Sequence, residues 1–81
     1  MREILLVSIA GPDRPGISAA LTEALAAHKA SVLDVSQAVI HDQLTLGLVI
    51  ETGGEQDSAI LMRAVLFKAH ALGLQARFTP I

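Results

Sequence analysis

The hydropathy period along the chain switches between two and 3.6 in the order β-α-β-β-α-β. This order predicts an α+β fold, a four-stranded antiparallel sheet with two helices on one face. Two observations support it. The middle pair of strand-like segments is separated by only a few polar residues, so they pair as an antiparallel hairpin. Each helical segment links two strand-like ones, and right-handed crossovers then place both helices on the same side, the ferredoxin-like arrangement. The 81 residues suit a single domain spanning 1–81, since two folding units would each be too short to close a core.

Glu3 to Ala10 is rich in aliphatic and β-branched residues and runs into Gly11-Pro12, a turn signal, so it is the first strand. From Pro15 the period changes. Ile17, Ala20, Leu21, Ala24 and Leu25 recur at helical spacing, which predicts a helix from Pro15 to about Lys29 with the proline at its first position. No glycine marks its end. Ser31 to Ile40 alternates, with Leu33, Val35 and Val39 opposite Asp34 and Ser36, which predicts a strand covered mainly on one face. His41-Asp42-Gln43 forms the turn, and Leu44, Leu46, Leu48 and Ile50 continue at period two.

Thr52 to Gln56 reads as a loop, after which Asp57 or Ser58 caps a helix carrying Leu61, Ala64, Val65, Lys68 and Leu72. Gly73 ends that helix in a left-handed conformation. Leu74, Ala76 and Phe78 alternate with Gln75 and Arg77 in a last strand broken by Pro80. The open face of the sheet carries either Leu5, Val7 and Ile9 or Ile4 and Leu6, and both sets are apolar.

Composition narrows the function. Hydrophobic residues make up 52% and charged residues 17%, against about 25% charged in an average globular chain. A domain this small buries only about 60% of its unfolded surface, so a partner is expected to cover some of the apolar remainder, as a homodimer or higher oligomer formed through the sheet face or edge. Phe67 and Phe78 are the only aromatic residues and the net charge is −2. Nucleic acid is therefore not an expected partner, for want of stacking platforms and a basic surface. No apolar run approaches a membrane span, so no membrane partner is expected and a cytoplasmic location is. The chain has no cysteine, and its three histidines are too dispersed to suggest a metal site. Neither a nucleophile elbow nor a pair of metal-binding carboxylates is evident, so no catalytic residue is assigned.

Gly11-Pro12-Asp13-Arg14-Pro15-Gly16 is the most informative segment. A helix start beside an arginine attracts an anion, and Asp13 offers an acceptor to an ammonium group. One acid, one base and a helix end together suit a zwitterionic amino acid. The plainer alternative is that Asp13 only caps the helix. Asp34 is a carboxylate in an otherwise apolar strand, and it either faces solvent or lines a site at a subunit edge.

The first strand followed by Gly11-Pro12-Asp13-Arg14-Pro15-Gly16-Ile17 resembles the signature of the ACT domain, an amino-acid-sensing module of βαββαβ order. Glycine-cleavage regulatory proteins and formyltetrahydrofolate deformylases share that signature. Leu33-Asp34-Val35-Ser36-Gln37-Ala38-Val39-Ile40-His41, Leu44-Thr45-Leu46-Gly47 and the closing Arg77-Phe78-Thr79-Pro80 are similar to the N-terminal region of bacterial phosphoserine phosphatases. The likeness extends over essentially the whole chain.

The resemblance implies a regulatory or oligomerisation domain that precedes a haloacid-dehalogenase-type phosphatase, which makes L-serine from O-phospho-L-serine. The D-x-D motif opening such a catalytic domain does not occur here, so whether this chain belongs to an enzyme stays open. No cofactor is expected on it, and magnesium only in that phosphatase domain. Asp13, Arg14, Pro15, Gly16 and Ile17 match the loop and helix start that meet ligand at a dimer interface. Where many members carry Gly-Val-Asn before the second strand, this chain reads Lys29-Ala30-Ser31, which leaves a serine hydroxyl in place of the amide. The implied function is binding of a small amino acid such as L-serine between two subunits. The alternatives are a purely structural dimerisation module and a stand-alone regulator of the glycine-cleavage type.

Overall fold

A computed structural model describes residues 2–81. The elements are β1 (Glu3–Pro12), α1 (Ile17–Ala27), β2 (Ser31–Ile40), β3 (Gln43–Thr52), α2 (Glu55–Ala71) and β4 (Gln75–Pro80). They form one antiparallel sheet in the order β2-β3-β1-β4. This is the predicted ferredoxin-like fold.

Register decides which apolar residues become core. Leu5, Val7 and Ile9 of β1 stand opposite Ile50, Leu48 and Leu46 of β3. Cross-strand partners share a face, so the alternating residues of both central strands project to the same side, where Ile17, Leu21 and Leu25 of α1 and Leu61, Val65 and Ala69 of α2 cover them. Phe78 and Ala76 of β4 lie opposite Val7 and Ile9 and pack against the margin of this core. The two sets that the sequence leaves open are thereby separated. Leu5, Val7 and Ile9 are buried, while Ile4 and Leu6 pair with Glu51 and Val49 on the open face.

The helices cover β1 and β3 but leave β2 bare. Every residue of β2 is exposed. The expected cover on one face is absent, since Val35 pairs with the buried Leu48 yet remains 54% exposed. A register shift between Val32 and Asp34 places Leu33 at a bulge, which also breaks the simple alternation read from the sequence. The elongated outline, 40 × 21 × 17 Å, matches a sheet that extends beyond its helices.

Both helices begin without a side-chain cap. Gly16 is the N-cap of α1, with φ 86°, so Pro15 lies in the preceding turn and not at the first helical position. Gly54 is the N-cap of α2, which corrects the expected start at Asp57 or Ser58. Ser58 sits one turn inside, buried, with its hydroxyl hydrogen-bonded to that of Thr52 at the end of β3. The Gly53-Gly54 turn allows this earlier start, and Glu55 and Asp57 in the first turn complement the helix dipole.

The two helix C-termini use the same device with different residues. At the end of α2, Leu74 N–H donates to the Ala69 carbonyl at 2.8 Å and Gly73 N–H to that of His70 at 3.0 Å. These are the two bonds of a Schellman motif, with Gly73 left-handed at φ 77°. At the end of α1, Ala30 N–H donates to the Leu25 carbonyl and Lys29 N–H to that of Ala26, both at 3.1 Å. The left-handed residue is here Lys29, at φ 59°. The sequence shows no end signal because a lysine occupies the glycine position.

A left-handed non-glycine residue costs about 1–2 kcal/mol, partly recovered through lower backbone entropy in the unfolded chain. Lys29→Gly should therefore stabilise the fold by about 0.5–1 kcal/mol, read as a rise of a few degrees in Tm. A fall in Tm would contradict this account of the turn. The Thr52–Ser58 pair gives a second expectation. Thr52→Val or Ser58→Ala alone leaves a buried hydroxyl unpaired and should cost about 1–3 kcal/mol each, while the double variant should cost clearly less than their sum. Additive losses in a denaturation cycle would mean that the two hydroxyls are not coupled.

Candidate functional site

Gly11 and Pro12 end β1 beside Leu44 and Gln43 of β3, so the Asp13–Gly16 loop emerges next to the β2–β3 hairpin. That hairpin turns on two residues, His41 and Asp42, both at positive φ (51° and 63°), while Gln43 already pairs with Ile40. The turn is therefore one residue shorter than the sequence suggests. Asp13 N–H donates to the Asp42 carbonyl at 2.9 Å and ties the loop to the turn. Asp13 does not cap α1 with its side chain. Its carboxylate is exposed, and only its backbone is engaged.

Gly16 sets up the helix start. Nothing lies within 4 Å of where its Cβ would stand, so its φ, and not crowding, is what favours glycine here. Ala20 N–H reaches the Gly16 carbonyl at 3.0 Å, the first bond of the helix. The N–H groups of Ile17, Ser18 and Ala19 precede that bond and have no intrahelical acceptor. Together with the axial dipole they make a weakly positive surface. Residues 13–19 together with Gln37 and Leu44 line an open concavity of about 530 Å3 in front of it.

The expected site residues are thus partly brought together. Asp13, Arg14, Pro15, Gly16 and Ile17 share the concavity, although the tip of the Arg14 guanidinium lies 3.8 Å from the Cβ position of Gly73, beside the end of α2. In that place it complements the C-terminal dipole of α2. Ser31 and Asp34 are elsewhere. Ser31 pairs with Glu51 and Asp34 with Val49, on the open face and towards the other end of β2. The six-residue interval from Ser31 to Gln37 spans about 20 Å of strand. Asp34 Oδ1 accepts the Val35 N–H at 2.9 Å.

Two residues of the concavity carry no signal in the sequence. Ser18 Oγ donates to Gln37 Oε1 at 3.4 Å, a long bond that joins the first turn of α1 to the middle of β2. Gln37 pairs with Leu46, which puts it on the helix side of the sheet in line with Val35 and Val39. A glutamine in an exposed strand is unremarked until the fold sets it against the loop.

The sequence model of the ACT domain matches residues 3–79. The chain is 37% identical over 71 residues to phosphoserine phosphatase SerB2 of Mycobacterium tuberculosis, an alignment covering 86% of this chain and 17% of that protein. It is 34% identical over 64 residues to the UPF0237 protein MK1213 of Methanopyrus kandleri, covering 79% and 71% respectively. The fold superposes on an ACT domain protein from Streptococcus pneumoniae with a TM-score of 0.83 at 20% identity, covering 96% of this chain and 89% of that one. Its similarity is thus both to a short segment of a much longer phosphatase and to proteins near its own size. With the family match running from β1 into β4, the chain belongs to the ACT domain family.

Proposed function

We propose that the protein is a regulatory module that pairs through the β2 edge and takes a small amino acid beside the α1 start. The observation that carries this reading is the position of the concavity directly against an edge strand that its own helices leave bare. An isologous pair of edge strands runs antiparallel about a two-fold axis. With the axis near the middle of β2, the start of the partner's strand falls level with the end of this one. The partner's Ser31 then comes to the loop end of β2, on the open face of the joined sheet, and Asp34 lies at the seam.

In this arrangement the free N–H groups of the first turn take the ligand carboxylate and Asp13 takes its ammonium group. Pro15 and Ile17 frame the turn, and Arg14 adds positive charge at its rim. L-serine is the first ligand to test, since the phosphatase at 37% identity is a phosphoserine phosphatase. The same likeness supports a role beside such an enzyme, with magnesium confined to the catalytic domain. The exposed apolar edge by itself supports pairing without a ligand, the purely structural alternative.

Calorimetry with L-serine and glycine at millimolar concentration tests the amino-acid reading. Heat of binding is expected, and Asp13→Asn should weaken it about tenfold because a charge-assisted hydrogen bond is lost. Tm should hardly change in that variant, since the backbone N–H of residue 13 still reaches Asp42. No heat with either ligand would leave only the pairing role. Sedimentation tests the pairing. Val35→Lys sets like charges together near the proposed axis while costing little in a residue already 54% exposed, so it should shift the protein towards monomer. An unchanged association constant would place the interface elsewhere.

A further inference from the structure

We infer that Gln37, supported by Ser18, reads the side chain of the bound amino acid and selects ligands with a short hydroxyl or amide side chain over apolar ones of the same size. This rests on the amino-acid reading above and adds its specificity. The pattern of β2 first singles out Gln37. On the helix side of this strand Val32, Val35 and Val39 are apolar, and Gln37 is the polar residue among them. It is also the β2 residue that reaches the concavity at the start of α1.

The hydrogen bond between the two side chains determines what they offer. Ser18 donates its one proton to Gln37 Oε1, which leaves the Ser18 oxygen as an acceptor and the Gln37 Nε2 with two donor protons. Among the described residues Nε2 has no hydrogen-bond partner in the protein. A donor and an acceptor side by side match a group that can accept and donate at once, as a hydroxyl or a primary amide does. A methyl group in the same place would displace water from both and return nothing.

The test is calorimetry of the wild-type protein and Gln37→Leu with two pairs, L-serine against L-alanine, which lacks the hydroxyl, and the isosteric L-threonine against L-valine. In the wild type the hydroxyl ligand of each pair should bind about five- to tenfold more tightly, the scale of one neutral hydrogen bond. Gln37→Leu should remove that preference by weakening serine and threonine, while alanine and valine keep their affinity. Unchanged alanine binding also shows that the variant is folded and its site intact. Ser18→Ala should reduce the preference in part. If Gln37→Leu retains the wild-type ratio, or if wild-type protein binds both members of each pair alike, the inference is wrong while the amino-acid reading stands. If no amino acid of either pair binds to wild type, both fail together.

Discussion

The register between β1 and β3 is the constraint on which the remaining structure depends. Setting Val7 opposite Leu48 and Ile9 opposite Leu46 collects the alternating aliphatic residues of two central strands on one face. Only one face can then recruit the helices. A slip by one residue would turn Leu5, Val7 and Ile9 away from α1 and α2, and the core would lose its floor. The same register fixes where β1 ends. Pro12 stands opposite Gln43, so the chain must leave the sheet beside the hairpin, and the Asp13–Gly16 loop is held there by the backbone bond from Asp13 to Asp42.

The second theme is the unequal finish of the helix ends. The N-termini rest on glycines with no side-chain cap, whereas both C-termini are closed by paired backbone bonds. At α2 the opening turn is stabilised from within, by Glu55, Asp57 and the buried Thr52–Ser58 pair. The first turn of α1 has no acidic residue. Its N–H groups face an open concavity rather than a cap, which leaves them to solvent or to an anion.

The period-two alternation of β1 and β3 and the helical stripe through Leu21 and Leu25 made the fold legible in the sequence, and the glycine at 73 marked its helix end directly. Periodicity says which residues share a face. It does not say whether that face is covered, which is why β2 read as half-buried although its valines stay 40–54% exposed. Helix starts were misplaced where good capping residues lay close by. Ser58 has the chemistry of a cap but is used as the partner of Thr52. The Asp13–Gly16 loop was visible as a motif, whereas nothing set Gln37 apart from its neighbours, because its contact is to Ser18, nineteen positions away in the chain. Ser31 and Asp34 were visible as polar residues, but one chain leaves them towards the far end of β2 and on the other face.

β2 is held by a single ladder, to β3, and has no core beneath it. Its local stability is therefore the part of the molecule that bound material can change most. Any molecule that seats on this edge and not on the unfolded chain adds free energy by mass action, in proportion to the logarithm of its concentration. A strand of this kind turns the abundance of its partner into structural order. If the ligand contacts Gln37 from the same strand, binding at the site and binding at the edge become linked equilibria, each raising the affinity of the other by the same factor.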